Sequence, residues 1–180
     1  MKAVVDFNSK MGAVLDETEK YRYSLWRVWD IKLPRLLFIM LNPSTADHTQ
    51  DDPTIRRCIG FAKSWGYGAI EVVNLFAYRA TDPKELRNKK IDPIGIDNDN
   101  YIISRASECK DIVLAWGTNG GFLKRDKAVL KLLVNYKLNC LEETKFGHPK
   151  HPLFVKGDTM YCEYPKKEVT TYRSGITFKI

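Results

Sequence analysis

Short, continuously apolar runs alternate along this chain with segments whose apolar residues recur every three or four positions. Leu36–Leu41 (LLFIML), Ala69–Phe76 (AIEVVNLF) and Asp111–Trp116 (DIVLAW) are the runs. Runs of this length predict strands buried on both faces, as in a parallel sheet covered by helices. A weaker fourth strand is expected over Leu138–Glu143. Between them the helical period returns. Asp52-Pro53 reads as an N-cap and first helical residue. Ile55, Cys58, Ile59, Ala62 and Trp65 then share one face, and Gly66 closes the helix. Asp97 is expected to cap a second helix through about Cys109. A third is expected over Phe122–Lys137, with Val129, Leu130, Leu133 and Tyr136 on one face. Its other face carries Lys124, Lys127 and Lys131, either a solvated stripe or a track for phosphates.

The flanks are less regular. Tyr21–Asp30 alternates apolar and polar residues and predicts an antiparallel strand at a sheet edge. The first twenty residues are poorly patterned and predict a mobile segment or a short helix. Residues 81–96 form a polar loop with Pro83, Pro93 and the basic Arg87, Lys89 and Lys90. The tail from 154 alternates near Thr170–Ile180 and predicts an edge hairpin. Strand–helix alternation of this kind implies an α/β chain folded as a three-layer α/β/α sandwich. Its core would be a mainly parallel, four-stranded sheet with antiparallel additions at the edges. The expected order of the core strands is second, first, third, fourth, which opens a crevice between the first and third.

A length of 180 residues suits one domain, expected over 1–180, and 44% hydrophobic with 28% charged residues excludes disordered and fibrous classes. No apolar run approaches the ~20 residues of a membrane span, and Met1–Lys10 lacks a secretory apolar core, so a cytoplasmic protein is expected. The net charge of +7 is shared by both halves of the chain and is compatible with a polyanionic partner. The four cysteines, Cys58, Cys109, Cys140 and Cys162, contain no CxxC pair. They are expected to be free thiols without a disulfide or a metal.

In open parallel sheets ligands bind beyond the carboxyl ends of the strands. The residues just past each strand are therefore the candidates. The first strand leads into Asn42-Pro43-Ser44-Thr45-Ala46-Asp47, and the second ends in Asn74-Leu75-Phe76 with Arg79 beyond. The third ends in Gly117-Thr118-Asn119-Gly120-Gly121, and the fourth leads to Gly147-His148-Pro149-Lys150-His151-Pro152. Amides, hydroxyls, histidines and an arginine thus converge on one edge. Arg56, Arg57, Arg79, Lys145 and Lys150 should border it, with Arg57, Arg79 and Lys150 as candidate phosphate ligands. Neither a P-loop lysine nor a GxGxxG stands at these turns, and no cofactor or metal is expected.

The segments MLNPSTAD, DDPTIRR, VVNLFAYRATDP, AWG and GHPKHPL resemble an uncharacterised bacterial and phage domain family with an NPSTAD signature, over roughly Tyr21 to Leu153. More distantly, the order of loops is similar to the uracil-DNA glycosylase superfamily. That superfamily places G-x-N-P or G-x-D-P after the first core strand, an Asn at the end of a second, and H-P-S-P in a late loop. Here Met40-Leu41-Asn42-Pro43, Asn74-Leu75 and His148-Pro149 stand at those places. The resemblance implies a base-excising N-glycosylase on a uracil-DNA-glycosylase-like fold, with nucleic acid or a nucleotide as partner. Asn42 would position the attacking water, Asn74 would read the base edge and His148 would stabilise the leaving base. Pro43, Ser44, Thr45, Asp47, Phe76, Gly117, Pro149 and His151 would complete the substrate site. Asn42 and His148 should then face each other at roughly 6–10 Å, leaving room for a base or sugar. This chain departs from the pattern at Met40, which replaces Gly, and at Lys150, which replaces Ser, with His151 additional. Two other readings stay open. One is a non-catalytic binding module with the same pocket. The other is a small-nucleotide hydrolase with a metal at Asp47, Asp51 and Asp52.

Overall fold

The computed structural model describes residues 2–4, 10–44 and 51–165. It is a mixed α/β structure built on one eight-stranded sheet with three α-helices. The strands are β1 (Lys2–Val4), β2 (Met11–Leu15), β3 (Arg22–Val28), β4 (Arg35–Met40), β5 (Ala69–Asn74), β6 (Asp111–Leu114), β7 (Leu138–Cys140) and β8 (Cys162–Glu163). Their order across the sheet is β1-β2-β3-β5-β4-β6-β7-β8. The middle strands β5, β4, β6 and β7 are mutually parallel, and the others join antiparallel.

The continuous apolar runs become the most buried strands because helices cover both faces. Helix α1 (Pro53–Ser64) packs Ile55, Cys58, Phe61 and Ala62 against Leu36, Phe38 and Ile70 on one face. Helices α2 (Asn98–Glu108) and α3 (Arg125–Leu132) cover the other face. There Ile102, Ala106, Val129 and Leu133 meet Leu37, Ile39, Val73 and Leu114. Successive side chains of β4 therefore enter opposite layers, as the strand period of two requires.

Several expectations are corrected. The first twenty residues hold two strands, β1 and β2, rather than a helix. Gly12 lies directly against the Trp26 indole, where a Cβ would stand 2.2 Å from the ring, so the alternation is broken at a position only glycine fills. Consequently β3 is an interior strand, not an edge, because β2 pairs along it. Asp97 makes no side-chain cap on α2. The third helix is shorter than expected. A 3₁₀ segment, Thr118–Lys124, precedes it, and Leu123 and Lys124 both adopt left-handed φ, at 53° and 55°. Within this segment Gly120 sits on the Trp116 ring with no space for a side chain. Strand β7 ends at Cys140, and a bridge between Glu143 and Pro149 then closes a loop in place of more strand. The anticipated hairpin at Thr170–Ile180 lies outside the described residues. Among the described residues no helix is long and apolar enough to cross a membrane.

A buried carboxylate gives this frame a testable pH dependence. Glu71 on β5 is 1% exposed, accepts from the Ser24 hydroxyl and pairs with Arg35 Nη1 at 2.6 Å, with Arg105 Nε at 3.9 Å. Burial nevertheless pushes its carboxyl above the usual range, against the pull of Ser24 and the two arginines. The folded state thus keeps a proton that the unfolded chain releases. The corresponding stability is present below the ordinary value of 4.5 and is lost as pH rises through the raised one. Glu71→Gln should therefore gain on the native protein in urea unfolding midpoint as pH increases from 5 to 8. A constant difference across that range would mean the arginines hold the carboxylate fully ionised.

Candidate functional site

A cavity of about 400 Å³ opens at the carboxyl ends of β4, β5 and β6. Met40, Leu41, Asn42 and Ser44 form one wall and Asn74 another. Gly117 to Asn119 form a third, with His151, Leu153 and Phe154 across from the N-terminus of α1. This is where a parallel sheet presents its ligand crevice. Gly117 has φ of +72°, and its N–H donates to Pro149 O at 2.8 Å, which ties the β6 loop to the histidine loop.

The polar groups of the cavity are held with different firmness. Asn42 Nδ2 donates to Ala80 O at 2.8 Å and to Pro43 O at 3.0 Å. Those two bonds fix the amide orientation and make Oδ1 its remaining, accepting end. Ser44 Oγ donates to Asp52, whose other carboxylate oxygen accepts from Ile55 N at 2.8 Å and so caps α1. Asn74, the last residue of β5, is 1% exposed, and its Nδ2 has no hydrogen-bond partner. Trp116 Nε1 is likewise buried without a partner. Both atoms are closed to solvent, Trp116 Nε1 against Gly120, and such unsatisfied groups are unusual, since buried polar groups are nearly always paired.

His151 faces this cavity from the N-terminus of the 3₁₀ turn Pro152–Phe154. Its Nδ1 accepts from Leu153 N at 3.3 Å, which assigns the ring proton to Nε2 in the neutral form. Burial lowers its pKa below the ordinary 6.5, with Asp52 pulling the other way. The ring therefore offers Nε2–H as a neutral donor at neutral pH.

The other expected residues divide. Pro43 is buried behind the wall, and its carbonyl accepts from Ala80 N. Thr45 and Asp47 lie outside the described residues. Phe76 is a core residue, packed 5.7 Å from Phe122. His148 is not on the cavity. Its ring lies beside Gly121 and its N–H donates to Thr144 Oγ1. His148 therefore does not join Asn42 in lining this cavity. Arg57 lies over the Phe61 ring and donates to Val155 O, and Arg79 donates to Glu19 O. Lys150 pairs with Glu142 at 2.6 Å, Arg56 reaches Asp51 O, and Lys145 lies over Phe146. None of these cations lines the cavity. Asp51 pairs with Arg27, Asp52 is the helix cap, and no cluster of three metal-ligating side chains occurs among the described residues. The four cysteines are free.

Sequence reasoning missed Arg22 and Trp116 as cavity residues. Arg22 is 3% exposed and reaches the cavity from β3. Its signal was a charge inside a strand flanked by Tyr21 and Tyr23, a position that needs a polar purpose when both sheet faces are buried.

The model of a family described as Protein of unknown function (DUF1643) matches residues 22–153. The chain belongs to this family. The DUF1643 segment begins at Arg22 and ends at Leu153, and so contains every cavity residue except Phe154. No curated protein and no solved structure matches the chain significantly.

Proposed function

We propose that the cavity receives a nucleobase and that the protein is a nucleic-acid- or nucleotide-directed enzyme of the base-excising N-glycosylase type. The observation that carries this reading is Asn74, a buried amide donor without a partner in the wall of a cavity at the strand ends. A ligand that brings an acceptor would satisfy this donor once the amide turns toward the cavity, and a base edge supplies one. The volume of about 400 Å³ lies in the range for a small ligand. The resemblance of the Asn42-Pro43 and Asn74-Leu75 turns to glycosylase loops supports the same chemistry.

In this reading a water accepted by Asn42 Oδ1 attacks C1′ of the sugar. The C1′–N bond breaks, its electron pair leaves with the base, and the proton that the water sheds ends on the departed base through solvent. Negative charge then grows on a base oxygen, where a neutral donor lowers the barrier without competing for the proton. His151 Nε2–H takes this part in place of His148. The cavity wall excludes bulk water around the developing charges.

A binding module without turnover is favoured by one feature, Met40 in the cavity wall where the glycosylases carry glycine. One experiment separates the two. Single and double strands carrying one uracil, hypoxanthine or xanthine are incubated with the protein, then treated with alkali, and binding is followed by fluorescence anisotropy. Alkali-labile sites establish the glycosylase. Saturable binding without them establishes the module. The absence of both cleavage and binding with all of these strands would refute the base-directed reading.

A further inference from the structure

We infer that Cys140 and Cys162 form a modification site, a thiol pair that a low-molecular-weight disulfide converts into a reversible cross-strand disulfide. The inference does not depend on what the cavity binds. β8 pairs antiparallel with β7 and sets Cys162 directly opposite Cys140. Residues opposed in this way project to one face of the sheet. Leu138 and Tyr164, two positions along the same strands, mark that face, since both pack against the layer that holds Val129 and Leu133. Tyr164 N donates to Leu138 O at 2.9 Å, so these two residues are a hydrogen-bonded pair. The alternation of an antiparallel ladder makes Cys140 and Cys162 the next such pair. Its Cα atoms then stand about 5.5 Å apart, within the roughly 4.4–6.8 Å that a disulfide spans. The Cβ atoms must close by about 1 Å from their ladder spacing. β8 can supply that movement, because it is two residues long and lies at the edge of the sheet. A bridge drawn tight in this way is more readily reduced than one at rest, which makes it reversible.

The two thiols differ in access. Cys140 is fully buried, whereas Cys162 is half-buried. Cys162 therefore reacts first. Its thiolate attacks one sulfur of a glutathione disulfide, breaks that S–S bond and releases one glutathione. The Cys140 thiolate then attacks Cys162 Sγ, breaks the mixed disulfide and expels the second. Two cysteine thiols are oxidised, one glutathione disulfide is reduced, and the two thiol protons end on the two glutathiones. The other cysteines stand elsewhere. Cys58 lies on α1 in the opposite layer, and Cys109 closes α2. Burial pushes the Cys109 thiol up to about 12 and raises that of Cys58 as well, so both stay protonated at neutral pH.

The position of the pair links it to the cavity. The bridge closes the segment 141–161, which carries the Glu142–Lys150 loop and then His151, Leu153 and Phe154 of the cavity lining. The same segment meets the loop after β6 where Gly117 N donates to Pro149 O at 2.8 Å. Oxidation thus ties together the two roots of one cavity wall.

The test equilibrates the full chain with reduced and oxidised glutathione at set ratios, quenches with acid and maps the digest by mass spectrometry. The native protein should lose two of its four thiols as the oxidised fraction rises. The lost pair should appear as a cross-linked Cys140–Cys162 peptide, and dithiothreitol should restore both thiols. Cys162→Ser should keep every remaining thiol under the same treatment, and Cys109→Ser should still form the bridge. Trypsin should cut after Lys145, Lys150 and Lys156 about tenfold more slowly in the oxidised protein, because the ends of the segment no longer separate. Four thiols surviving excess oxidised glutathione would overturn the pair. So would a glutathione adduct at Cys162 that never resolves, or a bridge to Cys58 or Cys109. Equal trypsin rates in the two forms would overturn the hold on the cavity wall.

Discussion

Replacing Asn74 by Ala should weaken binding of a uracil- or hypoxanthine-bearing strand about a hundredfold while changing folding stability by less than about 1 kcal/mol. The two halves of that expectation come from the same observation. Asn74 Nδ2 is buried without a partner, so the free protein already bears the cost of dehydrating it. That cost is about 1–3 kcal/mol for a neutral group. Removing the amide relieves it, which roughly offsets the weaker packing around a shorter side chain. Ligand binding loses everything the donor would have regained. Asn98 makes the contrast. It is fully buried too, but its Nδ2 donates to Asn74 O and Leu75 O at 3.0 Å and so ties α2 to the end of β5. Asn98→Ala should lower the unfolding free energy in urea titration by about 1–3 kcal/mol, since two carbonyls lose a donor. An Asn74→Ala protein that loses stability yet binds these strands normally would show that the amide is merely structural.

What the sequence disclosed and what it concealed follow from the range of the forces involved. β4 and α1 were legible because their causes are local: a continuous apolar run of six residues, and an Asp-Pro cap ahead of one apolar face. The mixed α/β class followed from that alternation. β2 was not legible, because the space at Gly12 is set by Trp26 on the neighbouring strand. The start of α3 was hidden for a similar reason, since Gly120 must first cross the Trp116 ring. Arg79 follows β5 but is drawn to the turn before β3, where its guanidinium donates to Glu19 O and its N–H to Lys20 O. That turn belongs to the stretch that carried no readable pattern. Nothing in the spacing reveals that Pro83 and Asn119, on separate loops, line one cavity.

The two histidines of the HPKHP segment should behave oppositely, although they stand three positions apart. The loop from Glu142 to Lys150 closes on itself through Lys150 N to Glu142 O and Thr144 N to His148 O, both 2.8 Å. That closure leaves His148 beside Gly121 and carries His151 to the cavity. If the protein excises a base, His151→Ala should lower the rate about 10²–10³-fold, the scale of a lost oxyanion donor, and His148→Ala should change it little. If it only binds, the same substitution should cost about tenfold in affinity, one hydrogen bond. His151→Asn separates the donor from the turn it caps. Its Oδ1 can still accept from Leu153 N, so stability should stay near native while the Nε2–H function is lost. The pH profile gives a second readout. Because burial holds the ring below its ordinary 6.5, the unfolded chain takes up the proton first on acidification. Its stability contribution is therefore full above 6.5 and is lost as pH falls through the lowered value. The neutral donor persists over the same range, so His151 should contribute no fall in rate or affinity between pH 8 and 6.5, and one below it. A native-like rate in His151→Asn, or a large loss in His148→Ala alone, would return the leaving-base role to His148 and require the loop to move on binding.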